Sequence, residues 1–236
     1  KQGYGFQFWK NRYNSYRGDG AFGQFCIVIP DYDMVIAITA STNEMQKVLN
    51  IFWKEIYLNL QSSEKLENAY ENSNKLNDKL KKLKVKKHLK NEKIVRNNSK
   101  FEKTYFLNDN IFGIRSLKLK NINNELNLFL NTDSGNEKII IGSEIYKKNQ
   151  LSNFNFINHY NNESLNYFKN KELTNTEIAV NGNWVDKRTF SIKILFLDDT
   201  AKSVIKLHFD KKEVEMDINF EGVFGFQNLF KLSGSN

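Results

Sequence analysis

The stretch Gly18-Asp19-Gly20-Ala21-Phe22-Gly23-Gln24-Phe25-Cys26-Ile27-Val28-Ile29-Pro30 sets three glycines within six residues and then runs straight into an apolar segment. Glycine is entropically unfavourable in regular structure, so a cluster here marks a backbone that bends sharply or lies close against something. Two readings are open: a tight turn feeding a strand, or a sheet margin shaped for a bound group. Phe25 to Ile29 is a continuous apolar run, as expected of a central strand covered on both faces. Cys26 within it is expected to be a small core hydrophobe. Pro30-Asp31-Tyr32-Asp33 supplies turn chemistry, and Met34 to Thr39 a second apolar strand, so the two form an antiparallel hairpin.

Working outward, Tyr4 to Trp9 (YGFQFW) reads as one strand and Lys10 to Gly20 as a polar turn region. Downstream, Ser41-Thr42-Asn43-Glu44 offers helix N-cap chemistry. Val48, Leu49, Phe52, Trp53, Ile56 and Leu60 then follow at spacings of three and four. Residues 1–60 are therefore expected as β-β-β-α, the helix lying across one face of the sheet. Residues 61–100 hold no Pro or Gly and place Leu76, Leu80 and Leu83 on one stripe, which predicts a basic helical connector. From Phe101 onward about eight alternating segments, broken by Asn, Asp and Gly, predict an antiparallel barrel or sandwich over residues 101–236. Ser203 to Phe220 is the clearest hairpin, turning at Asp210-Lys211-Lys212. The fold class is thus α+β followed by an antiparallel β-barrel. The aromatic, Asn-rich stretch near 150–170 has no assignment.

The chain of 236 residues carries a formal charge of +8, and residues 61–100 account for nearly all of it, with twelve Lys and Arg against five Asp and Glu. The basicity belongs to a connector and predicts no general nucleic-acid surface. A single cysteine excludes an internal disulfide and a cysteine metal cluster. His88, His159 and His208 show no ligand spacing, so no metal or other cofactor is expected. There is no apolar run long enough to cross a membrane as a helix. With no initiator Met and a structured pattern beginning at Tyr4, the sequence reads as a piece of something longer.

The array YGFQFW, then YRGDGAFGQFCIVIPDYDMVIAITAS, then a capped amphipathic helix resembles the C-terminal part of one superfamily. This is the class C beta-lactamase, penicillin-binding and esterase-type serine hydrolases. The resemblance covers about residues 3–60 and lies in the order of parts: aromatic strand, Gly cluster, Gln24, apolar strand, Pro30-Asp31, apolar strand, helix. It implies a bacterial serine hydrolase, cytoplasmic or exported, in which a Gly-rich edge strand passes close to the acyl group of an ester, peptide or beta-lactam. Carried over residue by residue, it implies that Gly20, Ala21, Phe22 and Gly23 face the substrate. The backbone N–H of Gln24 would aim at the oxyanion, where a fixed donor is worth roughly 3–4 kcal/mol. The basic residue that usually opens the motif falls on Ala21, or on Tyr16 or Arg17 if the bend is counted earlier; only Arg17 could anchor a carboxylate. The trailing β-rich part would be an accessory domain, lipocalin-like or otherwise antiparallel.

The nucleophile motif of that superfamily, Ser-x-x-Lys on a helix, does not occur in a suitable place. Ser62-Ser63-Glu64-Lys65 lies in the charged connector, and Ser203-Val204-Ile205-Lys206 in a strand, where its ends point to opposite faces. Tyr13-Asn14-Ser15, Tyr70-Glu71-Asn72 and Tyr160-Asn161-Asn162 match the accompanying Tyr-x-Asn by letters alone. The chain by itself is therefore expected to be inactive. Two other readings stand beside it. Trp184, Phe190, Phe196 and Phe209 could line a small-ligand cavity in a non-enzymatic barrel, with Phe224, Phe226 and Phe230 on a strand or tail that closes it. Eight lysines between Lys79 and Lys93 could meet phosphates, although the run lacks Arg and aromatic platforms and reads better as a solvated helix face.

Overall fold

A computed structural model describes residues 3–61, 69–88, 101–152, 176–198, 200–221 and 227–236. The chain divides between Leu83 and Lys84 into two compact units. His159, Tyr160-Asn161-Asn162, Ser62-Ser63-Glu64-Lys65, Phe224, Phe226 and most of the unassigned 150–170 stretch lie outside the described residues.

The first unit is a five-stranded antiparallel meander, β1 (Tyr4–Gly5), β2 (Phe8–Lys10), β3 (Tyr16–Gly20), β4 (Gln24–Ile29) and β5 (Met34–Ile38), in that spatial order. The expected single strand over Tyr4 to Trp9 is broken into a hairpin, because Phe6 and Gln7 take positive φ and reverse the chain within two residues. The expected turn region contains β3 instead: Tyr16 to Gly20 pairs along its whole length with β4 in spite of its two glycines. Pro30–Tyr32 forms the 3-10 turn into β5, closed by Asp33 in the left-handed region, with its N–H on the Pro30 carbonyl at 3.0 Å.

One face of this sheet is packed. Phe25, Ile27 and Ile29 of β4 are buried against Leu49, Phe52, Trp53 and Tyr57. These come from α1 (Met45–Ile51) and the wide π turn Phe52–Tyr57 that leads into α2 (Leu58–Gln61). The extra residue in a π turn rotates everything after it. Tyr57 consequently takes the inward place expected of Ile56, which is 48% exposed. The opposite face is bare: Cys26 is exposed, Val35 is 67% exposed, and Phe8 and Tyr16 stand beside them. Two expectations are thereby corrected. Only one side of the hairpin is covered, and Cys26 is a surface residue because its neighbours in the alternation, Phe25 and Ile27, take the inward side. The connector contains α3 (Ala69–Lys81), whose described side chains are exposed.

The second unit is a nearly closed barrel of ten antiparallel strands. They are β6 (Tyr105–Leu107), β7 (Ile114–Ile122), β8 (Glu125–Thr132), β9 (Gly135–Ile141), β10 (Lys147–Leu151), β11 (Thr176–Trp184), β12 (Thr189–Phe196), β13 (Lys202–Asp210), β14 (Glu213–Glu221) and β15 (Gln227–Ser235). Every strand pairs with its sequence neighbour except across one seam between β9 and β10, and β15 returns to β6. The β13–β14 turn falls at Lys211-Lys212, with Asp210 opposite Glu213, as expected. The closing rung is tight: a Cβ on Gly234 would lie 2.2 Å from the Phe106 carbonyl oxygen. Inward side chains alternate along the strands, and Ile178, Val180, Phe190, Ile192, Ile205 and Leu207 expose 0% of their surface. Side chains with no accessible surface leave no water-sized space against them, so at these positions the barrel is filled by its own residues. Trp184, Phe196 and Phe209, which the alternative binding-module reading would set around a cavity, are part of that core.

Across the seam the main chain makes one isolated bridge, the Gly142 N–H donating to the Val180 carbonyl at 3.3 Å and the Gly182 N–H to the Gly142 carbonyl at 2.9 Å, and side chains add the rest. Asn149 of β10 accepts from the Ile140 N–H at 2.7 Å and donates to the Ile140 carbonyl at 2.9 Å, reproducing one rung. Asn181, 1% exposed on β11, donates to the Gly142 carbonyl at 2.8 Å.

Candidate functional site

The glycine turn closes the β3–β4 hairpin. Gly20 and Gln24 are the last pair of the ladder, and Ala21–Gly23 make a 3-10 turn between them in which Phe22 adopts φ 61° and Gly23 φ 86°. Gly23 is buried, and a Cβ there would stand 3.2 Å from the Ala40 Cβ and 3.3 Å from the Thr42 methyl. The segment leaving β5 pins the turn further. The Thr42 N–H donates to the Phe22 carbonyl at 3.0 Å, and the Gln24 side-chain amide donates to the Ala40 carbonyl. Both demands on glycine at position 23, sign of φ and close approach, thus come from the chain itself.

β3 is an interior strand over part of its length and a margin over the rest. β2 is in register only with Tyr16 and Arg17, whereas Gly18, Asp19 and Gly20 pair with β4 alone. The strand therefore presents a short unpaired edge beyond Arg17, running directly into the exposed Ala21. Such an edge can receive an extended ligand through main-chain hydrogen bonds. Gln24 stands on the other side of the closing rung. The Tyr16 ring is 41% exposed and meets Phe8 edge-on, with centroids 5.7 Å apart.

Arg17 is 6% exposed and is engaged within the unit. Its guanidinium donates to Asp19 at 2.6 Å and 3.0 Å, and to the Asn11 side chain. A cation held by a bidentate carboxylate is positioned by the fold and shields its charge from an incoming anion. The structure thus brings Gly20, Ala21, Phe22, Gly23 and Gln24 together around one turn, leaves Tyr16 at the far end of β3 opposite Lys10 and Val28, and turns Arg17 inward. Sequence reasoning missed Gly18 and Asp19 as margin residues. The short reach of β2 that leaves them open depends on the reversal at Phe6-Gln7, which has no Gly, Asn or Asp to announce it.

A second group of chemistry-bearing side chains lies on the outer face of the barrel. Thr189 Oγ1 is 3.2 Å from His208 Nδ1, whose Nε2 is 3.5 Å from Asp217. Thr189 and His208 border a depression of about 620 Å³ that also touches Asp186, Arg188, Asp210 and Glu215. Nearby, His88 Nε2 is 2.9 Å from Ser191 Oγ, and the His88 N–H donates to Asn181 at 2.8 Å. Burial lowers the His88 pKa, and Lys193 and Lys206 lower it further, so the imidazole sits there neutral. Ser191 is 1% exposed, so its hydroxyl docks the His88 segment and is closed to a substrate. Ser203 is fully buried and hydrogen-bonded to the Asn219 carbonyl at 3.2 Å, while Lys206 faces outward, so their Ser-x-x-Lys spacing brings no dyad together. Tyr13 stacks on Tyr57 and Asn14 donates to Asp31, so the first Tyr-x-Asn stretch serves the packing of its own unit. Among the described residues no group of three or more His, Cys, Asp or Glu could hold a metal ion. No described helix is long and apolar enough to cross a membrane.

No family model matches the chain, no curated protein matches it, and no solved structure matches it.

Proposed function

We propose that the first unit is the C-terminal sheet-and-helix piece of a beta-lactamase-like serine hydrolase, with the barrel as its accessory domain. In this reading the unpaired edge Gly18–Gly20 and the turn through Gly23 lie along the acyl group of an ester, peptide or beta-lactam. Main-chain N–H groups of that margin stabilise the oxyanion, and the sequence-expected donor, Gln24, stands across the closing rung from them. The Ser nucleophile and Lys base come from another part of the parent protein, because the described residues offer no such pair. The observation that carries the reading is the partial strand: β3 is paired on both sides at Tyr16 and Arg17 and on one side only from Gly18 onward. A bare apolar sheet face around Cys26 and Val35 is what a missing layer of that larger domain would cover.

The test is covalent labelling with a fluorescent penicillin and a fluorophosphonate. The chain alone is expected to form no adduct, whereas a longer polypeptide that adds a helical Ser-x-x-Lys to it is expected to label. Gly20→Val in that polypeptide keeps the main-chain N–H but sets a branched side chain on the margin, and should slow acylation by about two orders of magnitude by displacing the acyl group. Stoichiometric labelling of the chain alone, or an unchanged rate in the Gly20→Val protein, overturns the proposal.

A further inference from the structure

Among the described residues the leucine stripe of the connector stands exposed. Leu76, Leu80 and Leu83 are 56%, 51% and 67% exposed. At about 100° per residue they fall within one narrow sector of the helix, and the Leu83 N–H reaching the Leu80 carbonyl at 3.1 Å carries the helical path past Lys81. The charges are sorted around that sector. Lys79 flanks it on one side, with Lys75, Lys81 and Lys82 further round, while Glu71 and Asp78 lie on the far side. All of these side chains are exposed. An apolar stripe edged by cations and backed by anions is the pattern of a helix lying in a membrane interface.

We propose that α3 and the turn after it dock on an anionic lipid surface, with Leu76, Leu80 and Leu83 entering the acyl boundary and the flanking lysines on the headgroups. Charge complementarity selects this occupant. Residues 61–100 carry twelve basic against five acidic side chains, while the remainder of the chain is close to neutral. A second copy of the helix is disfavoured as partner, since parallel pairing along the stripe brings Lys79 against its own counterpart. Nucleic acid would use the lysines and leave the leucines idle. The inference is independent of any hydrolase activity.

Flotation of the full chain with phosphatidylcholine vesicles, with and without phosphatidylglycerol, decides it. Binding is expected only to the anionic vesicles, falling as salt rises. The Leu76→Ser/Leu80→Ser/Leu83→Ser protein should bind at least about tenfold more weakly, although its exposed substitutions leave the fold intact by circular dichroism. Lys79→Gln/Lys81→Gln/Lys82→Gln should weaken binding and flatten its salt dependence. Equal binding to neutral vesicles overturns the proposal. So does full retention of anionic binding by the leucine variant, a pattern that together with tight duplex DNA binding would assign the lysines to nucleic acid. No vesicle binding together with a dimer that the leucine variant abolishes would make the stripe a self-association seam.

Discussion

At Gly23 the sign of φ and the space for a side chain act on one atom. An alanine there must hold φ near 86° and place its Cβ against Ala40 and Thr42, so Gly23→Ala should lower the stability of the first unit by about 1–3 kcal/mol. Urea unfolding followed by Trp53 fluorescence measures it. Arg17 makes the opposite case, a charge that the fold has already satisfied. Asp19→Ala strands a buried guanidinium with Asn11 alone and should cost about 2–4 kcal/mol, read on the same signal. His88 gives the second unit a pH dependence. Its pKa in the fold is depressed below 6.5, so the unfolded chain binds more protons. Stability is full above that value and declines as pH falls from 6.5 through the lowered pKa. Thermal melts across that window should show the decline, and His88→Asn should flatten it.

Among the elements, legibility followed how fully tertiary contacts agreed with local pattern. The α1 stripe was readable through Leu49, Phe52 and Trp53 and failed one turn later, because a π turn leaves no periodic trace in the residue types that form it. The hairpin β13–β14 was readable to its turn residues, since its inward and outward side chains alternate cleanly and one face is buried. β10 was not: Lys147 to Leu151 is mostly polar, and its place is set by Asn149 bridging to Ile140. β15 carries Gly234 and two serines, poor strand formers that suit the crowded closing rung. Asn149→Ala removes both bridging hydrogen bonds and should destabilise the seam by about 1–3 kcal/mol. Amide exchange at Ile140 and along β10 should rise while that of β12 and β13 stays slow.

For the molecule as a whole, two separate hydrophobic cores, one around Phe52 and one around Phe190, follow from a sequence whose charge and periodicity both change across residues 61–100. Two steps are therefore expected in chemical unfolding, Trp53 reporting one and Trp184 the other, and coincident transitions would deny the division. An antiparallel barrel or sandwich was legible from alternation, and the return of β15 to β6 that makes it a barrel was not. The open edge of β3 was not, since it exists only because a neighbouring hairpin stops short, a property of register that no single strand encodes. Cys26 turns this geometry into an instrument. It is the one thiol in the chain, and it stands on the uncovered side of the sheet. Any partner layer that seals the sheet must also seal the sulfur. Alkylation by a small maleimide thus becomes a clock for coverage: fast while the surface lies open, arrested once something closes over it.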